Sequence, residues 1–266
     1  MPTSRARRRA ALTVLAAAAV VAPLLAPAAP AAAAPGSDTV VDHNVEKYRS
    51  VLHKAFDTAR ARGAQALTLQ EVCLTDAVEL AQANPGWPML FTTSRVGGCD
   101  KKGRGDVGTL VIRRSGGDYS IQEFPLPADP GRVPRLSCLT FGSAPVKHVC
   151  STHLVSRDEG TGVRAQQTAE IKRVTREWIE AGHLVVVGGD FNATPDKPEM
   201  DSMFARGGNG RFVSAHQLEG RAEKTTDNGR QIDYVFFSQN RAGSGGLQVI
   251  PTASDHHMLV ATTRWG

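Results

Sequence analysis

The chain has 266 residues, of which 41% are hydrophobic and 21% are charged, and its formal net charge is +5. These proportions lie in the range of globular proteins, so they exclude collagen-like, low-complexity and wholly disordered chains. A basic excess of this size is also compatible with a nucleic-acid partner.

The first 34 residues have the composition of a secretory signal peptide. Residues 1–9 contain four arginines and no acid, an apolar alanine-, valine- and leucine-rich run follows at 10–26, and small residues continue to Ala34. A charged start, an apolar stretch and a small-residue cleavage site are the three parts of such a signal. The alternative is a membrane anchor, but the run is short for a bilayer span and contains prolines. We therefore expect cleavage near Ala34, secretion, and no stable insertion into a membrane.

The remaining residues, 35–266, contain no internal repeat and no linker long enough to divide them. We therefore expect one domain, acting as a monomer. Loss of the four N-terminal arginines leaves a net charge of +1. The overall charge of the mature chain consequently says almost nothing about its substrate.

Apolar residues at helical spacing predict two helices, and continuous apolar runs predict several buried strands. In chain order these are a helix at 45–62, strands at 65–72 and 107–114, a helix at 163–182, and strands at 183–192, 231–238 and 256–265. The run at 183–192 is typical of a strand covered on both faces. Helices that alternate with buried strands indicate an α/β fold.

Four cysteines follow the signal, and in an exported protein an even number suggests disulfides. Two strand-like runs, RLSCLTF and VKHVCSTHL, are joined by the turn sequence GSAP. Stepping outward from this turn places Cys138 directly opposite Cys150, within reach of a disulfide. That leaves Cys73 to pair with Cys99. A zinc site is the alternative, although no C-x-x-C spacing supports it.

Polar side chains recur where the apolar runs end. They are Glu71, His153, Asp190, Asn192, Asp233, Asp255 and His256. Each alone has a structural explanation, such as capping a turn or binding backbone amides. An ionised carboxylate on a buried strand is nevertheless costly unless it is paired or bound to a metal. Together, these groups form the set that a hard divalent cation and a phosphate ester require.

These residues lie in short motifs that occur in a fixed order. The motifs are LQEV with Glu71, STHL with His153, GGDFNATP with Asp190 and Asn192, QIDYVF with Asp233, and SDHHMLV with Asp255 and His256. With DHNVE, which contains Asn44, they make the chain resemble the endonuclease/exonuclease/phosphatase (DNase I-like) superfamily, in the form of a secreted bacterial-type member. The resemblance implies a four-layer α/β sandwich of two packed mixed β-sheets flanked by helices, with the site at one sheet edge.

The resemblance also implies a metal-dependent phosphoric ester hydrolase. Glu71 would hold Mg²⁺ directly, with Asn44 and Asp255 nearby and Mn²⁺ as the alternative ion. Asp190 would orient and deprotonate the attacking water, and Asn192 would donate hydrogen bonds to the phosphoryl oxygens.

The histidines of these motifs would act on the phosphate. Asp233 would pair with His256, fix its tautomer and favour its charged form. His153 would contact the phosphate from the opposite side. Either Asp190 or His256 is the general base, and the sequence leaves that choice open.

The substrate is a separate question. The segment 95–114 is rich in basic residues, and Lys101, Lys102 and Arg104 are its candidate contacts to a nucleic-acid backbone. The alternative for this segment is a solvated glycine-rich loop tied down by Cys99. We expect a secreted Mg²⁺-dependent phosphodiesterase that hydrolyses DNA or RNA by in-line attack of water.

Two other functions are alternatives to a nuclease. One is a phosphomonoesterase or a phospholipid-directed phosphodiesterase of the same superfamily, such as an inositol-phosphate phosphatase or a sphingomyelinase. Aromatic residues make up only 6% of the chain, and no aromatic loop suited to a membrane surface is evident. The other is a non-catalytic binding protein, which is disfavoured because every catalytic position is filled.

Overall fold

The computed structural model describes residues 36–114, 116–128, 133–156 and 160–266, so the expected signal peptide lies outside the described residues. The strands are β1 Ser37–Asn44, β2 Ala66–Cys73, β3 Met89–Arg95, β4 Val107–Arg113, β5 Tyr119–Pro125, β6 Arg135–Phe141, β7 Lys147–His153, β8 Leu184–Asp190, β9 Phe212–Ser214, β10 Asp233–Ser238, β11 Ala242–Ile250 and β12 Met258–Trp265. The helices are α1 Arg49–Ala61, α2 Leu74–Ala83, α3 Thr161–Glu180 and α4 Ala215–Glu219. Among the described residues, no helix is both long and apolar enough to span a bilayer.

The strands form two six-stranded mixed sheets. The first sheet has the order β11-β12-β1-β2-β4-β3, and the second has the order β5-β6-β7-β8-β10-β9. The β1–β2 and β7–β8 pairs are parallel, and their neighbours in each sheet are antiparallel. This architecture confirms the predicted sandwich of two mixed sheets flanked by helices.

Three apolar layers hold the sandwich together. Leu52 and Phe56 of α1 pack with Leu80 of α2 on the outer face of the first sheet. Ile171 of α3 packs on the outer face of the second sheet. Side chains of both sheets, such as Val186 from β8, meet in the layer between them. Strand side chains point alternately to the two faces, so the buried central strands are apolar on both sides.

The first helix begins later in the chain than the sequence predicted. The sequence predicted a helix over 45–62, whereas α1 begins at Arg49. The residues before it form a turn in which Glu46 and Lys47 both have positive φ angles, of 48° and 61°. Left-handed backbone interrupts a helix, so the apolar spacing at Val45 belongs to the core and not to α1.

Both predicted disulfides are confirmed. Cys138 of β6 lies opposite Cys150 of β7 in the ladder, and the two are bonded. Cys73, at the end of β2, is bonded to Cys99. All four cysteines are buried. The second bond ties the loop between β3 and β4 to the strand that carries Glu71.

We expect the Cys138–Cys150 bond to contribute about 3 kcal/mol to the free energy of unfolding, because it closes a short loop in the unfolded chain. A Cys138→Ala, Cys150→Ala double variant should therefore unfold at lower urea concentration than the oxidised wild type. The matched comparison is Cys73→Ala with Cys99→Ala, which opens a longer loop. An unchanged unfolding midpoint in the first variant would show that the bond has no stabilising effect.

Candidate active site

The ends of the central strands bring the polar motifs to one edge of the sandwich. His153 ends β7 and pairs in register with Asp190, which ends the parallel strand β8. Asp190 in turn pairs with Asp233, the first residue of the antiparallel strand β10. Asn44 ends β1 in the opposing sheet. Parallel neighbours and one reversed strand thus place side chains from distant parts of the sequence together.

Asp190 lies at the centre of this group. Its Oδ2 atom is 3.1 Å from Nδ2 of Asn44, 3.4 Å from Nε2 of His153 and 3.7 Å from Nε2 of His256. Its Oδ1 atom accepts a hydrogen bond of 2.9 Å from the backbone N–H of Asn192. The carboxylate is almost fully buried. One oxygen is therefore fixed by the backbone, and the other faces three donors from both sheets.

The His256 ring is oriented by Asp233. Nδ1 of His256 lies 2.9 Å from the Asp233 carboxylate, which also accepts a hydrogen bond from Thr225. Burial opposes the charged imidazole, but the hydrogen bond to Asp233 and the nearby carboxylates raise the pKa of His256 to about 10. Burial also raises the pKa of Asp233, to about 6. At neutral pH the two groups form an imidazolium–carboxylate pair with Nε2 directed at Asp190.

A bulge in β2 directs Glu71 into the site. The β2–β4 register shifts between Leu69 and Val72, and Glu71 has a φ of 52°. Such a bulge re-aims a side chain at a sheet edge. Burial alone would raise the pKa of Glu71, but His153, Lys47 and His256 together lower it. Glu71 is thus an ionised, partly exposed carboxylate whose Oε2 is paired with the Lys47 ammonium.

Two asparagines complete the edge. Asn192 also has a left-handed φ of 52°, and its Nδ2 donates to the carbonyl of Leu154 at 3.1 Å. Asn44 accepts a hydrogen bond from the Glu46 N–H at its Oδ1 atom. Non-glycine residues in left-handed conformations are strained and cluster at functional sites. Four of them, Glu46, Lys47, Glu71 and Asn192, occur here.

Three residues on the Glu71 side carry the type of oxygen ligand that a divalent cation prefers. Asn44, Glu71 and Asp255 offer oxygen atoms, and the Asp255 side chain is 65% exposed. Hard cations such as Mg²⁺ prefer oxygen ligands and few protein contacts. An ammonium already neutralises Glu71, which shows that this carboxylate attracts positive charge.

A second group of potential ligands is more compact. Among the described residues, Asp190, Asp233 and His256 place one ligand atom each within 4.8 Å of one another. Asp233 and His256 are already bonded to each other, and imidazole suits zinc or other transition metals better than magnesium. This group is therefore better suited to holding water and phosphate than to holding a hard cation.

A buried acid lies behind the site and was missed by the sequence interpretation. Asp42 accepts hydrogen bonds from Thr68 and Gln70 at Oδ1, and its Oδ2 has no partner among the described residues. Burial, with Asp233 and Asp190 nearby, raises the pKa of Asp42 well above its ordinary value. The available signal was the position of this acid, directly after two valines and before Asn44 in the segment VVDHN.

The basic loop does not present all of its predicted contacts to a substrate. The Arg104 guanidinium is bound by Asp76 and donates to the carbonyl of Lys47 at 2.7 Å, which favours a structural role. Lys101 is exposed. The side chain of Lys102 lies outside the described part of the structure. The charge pattern of the sequence does not reveal that Arg104 forms an ion pair with Asp76 of α2.

Glu46 and Lys47 also belong to the site although the sequence analysis gave them no role. Oε2 of Glu46 accepts a hydrogen bond of 3.2 Å from the backbone N–H of Asp255. Their positions two and three residues after Asn44 were the available signal, but a helix was predicted to begin there. The structure instead bends this segment back onto Glu71.

Solved structures with the same fold come from several organisms. The human nocturnin catalytic domain, solved with a bound sulfate anion, aligns with a TM-score of 0.68 and 18% identity over 87% of this chain and 94% of its own. TDP2 from Caenorhabditis elegans aligns with a TM-score of 0.67 and 19% identity over 86% and 75%. A mannosyl-6-phosphatase of Bacteroides thetaiotaomicron aligns with a TM-score of 0.62 and 12% identity over 86% and 99%. At these identities the likeness shows the fold alone.

At the level of sequence, none of the curated proteins matches the chain significantly. The profile of the Endonuclease/Exonuclease/phosphatase family, however, matches residues 32–256. That span includes the described strands β1 to β11 but not β12, and it includes the motifs from Asn44 to His256. The chain therefore belongs to the endonuclease/exonuclease/phosphatase family and is a metal-dependent phosphoric ester hydrolase.

Proposed function

We propose that this protein is a Mg²⁺-dependent phosphodiesterase that hydrolyses DNA or RNA. The observation that carries the hydrolytic part of the proposal is the convergence of Asn44, His153 and His256 on a single oxygen of Asp190. Such an arrangement offers one base and several donors to a water molecule and a phosphate held between the sheets.

We assign the general base to Asp190. His256 is held in its charged form by Asp233, with a pKa raised to about 10, so it is a proton donor and not an acceptor at neutral pH. Its Nε2–H, together with Nε2 of His153, is positioned to stabilise negative charge on the phosphoryl oxygens. The Asn192 backbone fixes Asp190 Oδ1 and leaves Oδ2 for the proton of the attacking water.

Glu71, Asn44 and Asp255 would hold the Mg²⁺ ion, with Mn²⁺ as the alternative. When bound there, the cation would supply positive charge beside the phosphate and the leaving oxygen. The chain contributes the carboxylate, amide and second carboxylate from three separate elements, so the cation site exists only in the folded protein.

A nucleic-acid substrate is supported by exposed basic residues on the loops that flank the site. Lys101 lies on the loop tied to β2, Lys197 follows Asn192, and Arg230 precedes Asp233. A polyanionic backbone is attracted by cations spread around an open edge. We therefore propose these three residues, and not Arg104, as contacts to the nucleic-acid backbone.

A phosphomonoesterase is the second candidate. A cavity of about 350 Å³ is lined by Pro195 and Gln231, which are close in sequence to Asn192 and Asp233. Its size suits a small ligand such as a sugar. One protein with the same fold is a mannosyl-6-phosphatase. A lipid-directed phosphodiesterase has less support, since the large apolar side chains exposed on the described loops are few, with Val96 the most exposed of them.

We also propose that the protein is secreted. Two buried disulfides support folding outside the cytosol, where such bonds persist. The signal peptide at 1–34 and the mature domain at 35–266 are consistent with that location.

The test is a substrate panel on the purified mature protein. Plasmid DNA, single-stranded RNA, sphingomyelin vesicles, mannose 6-phosphate and inositol phosphates are each incubated with Mg²⁺ and, separately, with EDTA. We expect Mg²⁺-dependent cleavage of nucleic acid. Turnover restricted to sugar or inositol phosphates would establish the phosphomonoesterase instead, and turnover restricted to vesicles would establish the lipid-directed enzyme. An Asp190→Asn preparation in parallel shows whether any activity comes from a contaminating nuclease.

A further inference from the structure

Lys47 occupies an unusual place next to the proposed metal ligand. Its ammonium pairs with Oε2 of Glu71, and the two side chains are 28% and 24% exposed. It is the second of two consecutive non-glycine residues with left-handed backbone, since Glu46 and Lys47 have φ angles of 48° and 61°. Each such residue costs about 1 kcal/mol or more. A lysine that served only as a surface ion pair would not require this backbone.

The Lys47 backbone is held at both of its polar groups. Its N–H donates to the carbonyl of Glu71 at 3.0 Å, the same residue that its side chain neutralises. Its carbonyl accepts a hydrogen bond of 2.7 Å from Arg104. Arg104, on the loop that the Cys73–Cys99 bond ties to β2, is in turn paired with Asp76 of α2.

These contacts fix the origin of the side chain relative to Glu71. An exposed lysine normally samples many rotamers and gains little from an ion pair. Here the backbone is already fixed beside Glu71, so the ion pair costs side-chain entropy only, and the lysine stem starts close to the carboxylate. The pair therefore resembles a cation site whose cation is supplied by the chain.

We propose that Lys47 is a resident cation of the metal site, which neutralises Glu71 in the metal-free protein and competes with the divalent cation for that carboxylate. The competition sets the metal affinity of the enzyme. It also prevents an unpaired, partly buried carboxylate when the metal is absent. This inference rests on the proposed role of Glu71 as a metal ligand.

The test is the affinity of the substrate-free protein for Mn²⁺, measured by isothermal titration calorimetry. Lys47→Met should bind Mn²⁺ about 5-fold more tightly than the wild type, which corresponds to loss of one competing, partly exposed ion pair. Lys47→Gly should do the same, and glycine adopts the left-handed backbone without strain, so this variant protects the test against misfolding. Lys47→Arg should retain the wild-type affinity.

Lys54→Met is the matched control. Lys54 is exposed on α1, so its loss changes the net charge equally without touching Glu71, and Mn²⁺ affinity should stay unchanged. A second readout is thermal unfolding: the increase in Tm on adding Mn²⁺ should be larger for Lys47→Met than for the wild type, because the metal then replaces a missing partner.

Glu71→Gln separates failure of this inference from failure of the site assignment. If Glu71→Gln leaves Mn²⁺ affinity unchanged, Glu71 is not a metal ligand and the proposal falls with that assignment. If Glu71→Gln weakens binding at least 10-fold while both Lys47→Met and Lys47→Gly bind no more tightly than the wild type, the metal assignment stands and the role of Lys47 is wrong.

Discussion

Replacement of Asp190 by asparagine should lower kcat by about 1,000-fold or more, because general-base catalysis typically contributes factors of this order and a neutral amide cannot accept the proton. The side chain keeps its shape, so the hydrogen bond between the Asn192 N–H and Oδ1 can persist. The measurement is the turnover rate at saturating substrate and Mg²⁺, compared with the wild type.

The Asp190→Asn variant should also fold normally. Asp190 raises the pKa values of the neighbouring acids Asp42 and Asp233, so removal of its charge relieves repulsion within the buried cluster. The new amide nitrogen faces Nδ2 of Asn44, and the attraction to the His256 imidazolium is lost. These costs oppose the gain, so thermal unfolding should stay cooperative, with a Tm within about 10 °C of the wild type. Asp57→Asn, an exposed position on α1, is the control and should change neither property. Turnover within tenfold of the wild type would remove Asp190 from the chemistry.

Asp233→Asn should produce the second largest loss, about 100-fold in kcat. The amide cannot hold His256 in the imidazolium form, so the ring loses both its orientation and its charge beside the phosphate. In the metal-free protein, NMR titration should show the pKa of His256 fall from about 10 toward the ordinary value of about 6.5. A His256 pKa unchanged by the substitution would show that Asp233 does not control its charge.

The same pair has a definite effect on stability against pH. The pKa of His256 is raised on folding, so the stabilisation is fully present below about pH 6.5 and is lost as pH rises through about 10. Burial raises the pKa of Asp233 to about 6, so both partners are charged only above that value. Between pH 7 and 10 the wild-type Tm should therefore fall more steeply than that of Asp233→Asn.

Local patterns were sufficient to predict much of the fold. The apolar run that ends at Asp190 and the hairpin that pairs Cys138 with Cys150 depend on strand alternation and turn residues, which are properties of neighbouring sequence. The edge where the motifs meet also follows from strand order, once the resemblance to the family supplies that order. The pairing of Asp233 with His256 was expected for the same reason.

Other features depend on contacts that a single sequence does not encode locally. The apolar spacing over 45–62 is helical, yet Lys47 is drawn into a left-handed turn by hydrogen bonds to Glu71 and from Arg104. The charge of Arg104 suggested a substrate contact, whereas Asp76 binds it. The burial of Asp42 likewise arises from packing of one sheet on the other. In each case tertiary contacts override the local pattern.

The most direct test of the central claim is the hydrolysis rate of bis(p-nitrophenyl) phosphate, a simple phosphodiester, as a function of Mg²⁺ concentration. We predict that turnover by the wild type rises with Mg²⁺ to a plateau, disappears with EDTA, returns when Mg²⁺ is in excess, and is slower by about 1,000-fold or more at every concentration in Asp190→Asn. Turnover that persists in EDTA, or that stays within about tenfold of the wild type in Asp190→Asn, would contradict a metal-dependent centre built around this carboxylate.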